Sequence, residues 1–83
     1  MEITLSKHAQ DVVREREIQT AWILETMAAP QRIERDASDI ELIHALRAIP
    51  GFEHRVLRVI YNETRTPPHV VTVFFDRAMK GKV

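Results

Sequence analysis

Cysteine is missing from this 83-residue chain, glycine occurs only twice, and no apolar run approaches the roughly 20 residues that a bilayer-spanning helix requires. Without cysteine there is no disulfide, no thiolate metal ligand and no thiol nucleophile, a composition that suits the cytosol. Gly51 and Gly81 lie too far apart to build a glycine-rich phosphate loop, so no nucleotide cofactor is expected. A charge of one sign is lacking as well. Lysine plus arginine equals aspartate plus glutamate at 12 each, which removes any long-range pull toward nucleic acid or membrane and makes any anion site local. Met1 to Leu5 carries neither the basic start nor the apolar core of a secretory signal, and the expected location is cytoplasmic.

What is present is an ordinary folding composition. A hydrophobic fraction of 45% with 29% charged residues belongs to a globular protein, not to a disordered segment. The length predicts one domain over residues 1–83 with a modest stability margin, for which a homodimer or a bound partner is a natural supplement.

Residues 3–5 read as a short strand or an extended lead-in, and Ser6 sits where a helix N-cap belongs. A first helix from Lys7 to Arg16 puts Ala9, Val12 and Val13 on one side, with Arg16 in the middle of that side and His8 at its rim beside Val12. A second helix, with Thr20 as its cap, carries Ile23, Leu24, Met27 and Ala28 as its stripe, and Pro30 stops it. Two short helices joined by so few residues are expected to pack as a hairpin.

A first full strand is read over residues 31–36, followed by an acidic loop at 36–39. Residues 41–49 are filled with helix formers but lie between two turns, and they are read as a strand. Pro50-Gly51 marks a turn, and residues 54–62 and 69–77 form the last hairpin around a polar loop. The fold class is therefore α+β, an N-terminal two-helix hairpin on one face of a three- to four-stranded antiparallel sheet.

Alternation assigns the faces. Leu57, Val59 and Tyr61 share one side with Arg55, and Val71, Val73 and Phe75 accompany them under the helices. The uncovered side then carries Arg58 and Thr72, with His44 as a third polar member, ringed by Leu46, Val56, Ile60 and Phe74. Such polar groups form either a solvated face or a site for an anion. The four histidines are scattered, and no ligand spacing suggests a metal.

The runs Ser6-Lys7-His8-Ala9, Arg14-Glu15-Arg16 followed by Ile18, Arg55-Val56-Leu57-Arg58-Val59, and Val70-Val71-Thr72-Val73-Phe74-Phe75-Asp76-Arg77 occur in this order along nearly the whole chain. In them the sequence resembles the small bacterial family Domain of Unknown Function 4258. That family is similar to the RelE and BrnT toxins, and the resemblance implies N-terminal helices on an antiparallel sheet, RNA cleavage without a metal and a small antitoxin protein as partner. Family members often carry glycine where this chain has Glu17.

Under that resemblance His8, Arg58 and Thr72 are the catalytic candidates. Imidazole suits proton transfer near neutrality, a guanidinium stabilises phosphorane charge, and a hydroxyl on a neighbouring strand reaches the same phosphate. Arg16, His44 and Arg77 are the candidates for holding RNA. Each has a plainer reading: His8 as a packed rim residue, Arg16 as a stem covering the core, and the basic tail containing Arg77 as mobile surface. The competing function is a catalytically inert module that binds protein through its open sheet face or an exposed strand edge.

Overall fold

Ser6 begins the first helix in the computed structural model, which describes residues 1–83. Its hydroxyl accepts the Ala9 N–H at 3.0 Å and donates to the Val71 carbonyl at 2.8 Å, so the capping residue also pins the helix start to the last strand. Helix α1 spans Lys7–Glu15, and Arg16 caps it. Glu17 then takes a left-handed conformation at φ 53°, and the Ile18 N–H reaches back to the Val13 carbonyl at 3.0 Å. This is the helix ending that glycine favours, and a side chain there costs about 1 kcal/mol.

Helix α2 spans Thr20–Ala28 with Gln19, not Thr20, at the capping position. It buries Ile23, Thr26 and Met27, while Ala28 faces outward. Thr26 is tolerated because its hydroxyl donates to the Trp22 carbonyl one turn earlier, at 2.7 Å.

The sheet is larger than expected and mixed. Strands β1 (Thr4–Leu5), β2 (Arg32–Arg35), β3 (Leu42–Ile49), β4 (Arg55–Asn62) and β5 (His69–Phe75) lie in the order β1-β5-β4-β3-β2. All neighbours are antiparallel except β1, which runs parallel to β5. Strand β1 falls within residues 3–5, read as a short strand or an extended lead-in, but its parallel pairing lies outside the expectation of three to four antiparallel strands, because two residues carry no readable alternation. It is held by Thr4 N–H to the Pro68 carbonyl at 3.0 Å and Ser6 N–H to the Val70 carbonyl at 2.8 Å. Residues 42–49 do form a strand, paired on both edges.

The helices also differ from a hairpin. Helix α1 packs against β5 and β1, and α2 packs against β4 and β3, side by side on one face of the sheet. Ile18, 4% exposed, enters the core from the link between them. Ala9, Ile18, Ile23 and Met27 meet Ile49, Leu57, Val59, Val70 and Val73 there. Val70, and not Val71, belongs to this core. The register slips between Ile60 and Tyr61, whose partners are Thr72 and Val70, so Val71 is an extra residue that breaks simple alternation. No helix is long and apolar enough to cross a membrane.

Candidate functional site

On the face opposite the helices, the register places Arg58 between Leu46 of β3 and Phe74 of β5, with Arg32 of β2 beyond Leu46. Leu46 and Val56 are buried on this side, so the guanidinium of Arg58 lies over apolar ground and its side chain is only 12% exposed. Three hydrogen bonds and one further ion contact hold it there. Nε and Nη2 reach Asp76 Oδ2 at 2.9 and 2.8 Å, and Nη1 reaches Glu34 Oε1 and His44 Nδ1 at 2.9 and 2.8 Å. His44 Nε2 lies 2.7 Å from Asp36 Oδ1, and Arg32 adds a 2.7 Å bond to the other oxygen of Glu34.

The electrostatics follow from these bonds. Glu34 is held below the usual carboxylate range, first by Arg58 and then by Arg32. Asp36 is lowered by His44 and by the backbone N–H groups of Ser38 and Asp39. Burial works hardest on Arg58 and against its charge, yet Glu34 and Asp76 outweigh it and keep the guanidinium firmly protonated. A cation already matched to two carboxylates and an imidazole has little left for a ligand.

Thr72 is a diagonal neighbour of Arg58 on the same face, because Ile60 and not Arg58 stands opposite it. Its hydroxyl belongs to a different cluster. Thr72 Oγ1 lies 3.0 Å from His8 Nε2, where α1 passes along the edge of β5. His8, Thr72, Arg16, Val12, Glu15 and Phe74 line one groove of about 440 Å³. Its neighbour, about 530 Å³, is lined by Arg16, Arg55, Arg77 and Lys80 beside Phe52, Val56, Phe75 and Asp76. Arg16 and Phe75 border both, which joins them along the surface.

The second cleft is strongly unbalanced for a neutral protein. Four cations surround one carboxylate, and that carboxylate is committed to Arg58. Arg55 rests over the Phe52 ring at 4.7 Å, while Phe52 stacks on Trp22 at 5.5 Å between centroids, so an aromatic wall supports the cationic rim. Asp76 Oδ1 accepts the Ala78 N–H at 3.0 Å and folds Arg77–Met79 into a 3-10 turn, which is what brings Arg77 to the cleft.

The predicted residues thus divide into two sets. His8, Thr72, Arg16 and Arg77 come together along the joined clefts, whereas Arg58 and His44 sit in the ion-paired network. Arg16 does not cover the core but is exposed at the end of α1. Tyr61 packs against the core, where burial raises its hydroxyl pKa. Sequence reasoning missed Asp76, Glu34, Arg55 and Lys80. Asp76 was findable, since it shares the parity of Thr72 and Phe74. Glu34 depends on the β2–β3 register, which no local pattern reveals.

A family model described as a domain of unknown function (DUF4258) matches residues 5–75, a span that includes both helices and β2 to β5. No curated protein and no solved structure matches the chain significantly.

Proposed function

The chain belongs to the DUF4258 family, and on that footing we propose that it is a RelE/BrnT-like, cytoplasmic toxin-fold protein that cleaves RNA without a metal or cofactor and is neutralised by a small antitoxin protein. The observation that carries this reading is the 3.0 Å approach of His8 Nε2 to Thr72 Oγ1 in a groove that shares Arg16 with a cationic cleft.

RNA supplies its own nucleophile, so the protein needs only to move a proton and hold charge. His8, held through Nε2 by the Thr72 hydroxyl, takes the proton of the ribose 2′-hydroxyl at Nδ1 as that oxygen attacks phosphorus. Arg16 sits at the junction of the clefts, where it neutralises the developing phosphorane. The bond to the 5′ oxygen then breaks, that oxygen takes a proton from water in the open groove, and a 2′,3′-cyclic phosphate remains. Arg77, Arg55 and Lys80 hold the backbone on the downstream side. In this assignment Arg58 and His44 act through the sheet, as the scaffold that fixes β4, β5 and Asp76, and not on the substrate.

The satisfied state of Arg58 also favours a second reading, an inert protein-binding module, because a matched guanidinium leaves the open sheet face without a free cation. Expression in a bacterial host separates the two. The nuclease reading predicts growth arrest that His8→Ala relieves while the variant remains folded. Harmless expression of the wild-type chain overturns it.

A further inference from the structure

Strand β2 ends the sheet, and nothing pairs with its outer edge. Such an edge is ordinarily guarded, yet β2 presents Ile33 at 58% exposure and the β2–β3 tip presents Ile40 at 83%. We infer that β2 is a self-complementary edge on which a second copy of this chain pairs antiparallel, centred on Ile33, to join the two five-stranded sheets into one.

The backbone phase of β2 permits this pairing. The Asp36 N–H bonds inward to the Leu42 carbonyl at 3.2 Å, and Asp36 shares the parity of Arg32 and Glu34. Alternation therefore directs the N–H and C=O of Ile33 and Arg35 outward, away from β3. Pairing Ile33 with Ile33 of the second copy lets the two residues exchange both bonds. The same register sets each Arg35 N–H against the Gln31 carbonyl of the other copy.

Side-chain charge then selects this register over its neighbours. Centred on Ile33, each Arg32 faces Glu34 of the second copy, and Ile33 packs on Ile33. A two-fold axis at Arg32 or Glu34 would oppose like charges at the axis itself. One at Arg35 would set Arg35 on Arg35 and Glu34 against Asp36. Like charges directly across a strand pair are destabilising, so among the four residues of β2 only Ile33 gives a centre free of conflict. A two-fold pairing of this kind closes after two copies, which leaves no open edge for further addition on that side. The opposite edge is the two-residue strand β1, parallel to β5. The inference stands apart from the ribonuclease reading, because the joined clefts lie at β5 and α1, across the sheet from β2.

Sedimentation equilibrium of the purified chain between micromolar and millimolar concentration tests it. The expected result is a monomer–dimer equilibrium for the wild type. Ile33→Pro removes an N–H that β3 does not use, and Arg32→Glu sets two carboxylates face to face. Each should leave circular dichroism unchanged and weaken dimerisation at least tenfold, while Arg32→Lys should retain it. A wild-type chain that stays monomeric over the whole range, or Ile33→Pro and Arg32→Glu variants that dimerise as well as the wild type, would overturn the proposal.

Discussion

Arg58 donates from Nη1 to His44 Nδ1 at 2.8 Å, and since a guanidinium has no acceptor, this bond makes Nδ1 the acceptor and leaves Nε2 to donate to Asp36 Oδ1. The imidazole is thereby a bridge between β4 and the β2–β3 loop, with both nitrogens spent.

Removing the centre of that network should cost stability. Arg58→Ala removes the cation that Asp76, Glu34 and His44 share and exposes Leu46 and Val56 beneath, a loss of about 3 kcal/mol. Arg58→Lys should fall between, because one ammonium cannot serve Asp76, Glu34 and His44 together. Urea unfolding followed by circular dichroism reads both. A change under 0.5 kcal/mol for the alanine variant would mean the network is ornamental.

The same network predicts the acid limb of stability. Glu34 and Asp36 titrate lower in the folded chain than their ordinary values of 4.5 and 3.8, so the unfolded chain takes up protons first as pH falls. Their contribution is complete above those ordinary values and drains away as pH drops through the folded ones. Glu34→Gln should therefore flatten the fall in unfolding midpoint below pH 4.5. An acid limb identical to the wild type would contradict the pairing.

Glu17 offers a gain instead of a loss. Glu17→Gly relieves a left-handed residue at φ 53° and should raise stability by about 1 kcal/mol, visible as a higher thermal midpoint. A lower midpoint would show that the glutamate makes a compensating interaction.

Ser6→Ala removes the cap of α1 and the bond to Val71 together. The expected cost is about 1.5 kcal/mol, with amide exchange accelerated at Ala9 and in β5 alike. Acceleration at Ala9 alone would separate the cap from the strand anchor.

Much of this architecture was legible in the chain. Ser6, Pro30 and Pro50-Gly51 set boundaries through backbone chemistry that needs no tertiary context, and the β-branched run over β4 and β5 fixed the last hairpin. What escaped were features made by the assembled sheet. The parallel β1 is two residues long, the bulge at Val71 moves Val70 into the core, and Ile18 is buried in the link between the helices. The candidate site divided for the same reason. Parity correctly placed Arg58 and Thr72 on one face, but the identity of each one's partner depended on strands and a helix far away in sequence, so Thr72 met His8 while Arg58 met Glu34 and Asp76.

The account of function rests on His8, an exposed residue whose removal should leave the fold intact. The direct measurement is cleavage of a short single-stranded RNA by purified protein in excess chelator, with end-group analysis of the products. The wild type should yield 2′,3′-cyclic phosphate ends, His8→Ala should slow the reaction at least a hundredfold at an unchanged thermal midpoint, and the 2′-deoxy substrate should stay whole. Intact RNA with the wild type, or equal cleavage by His8→Ala, would contradict the account.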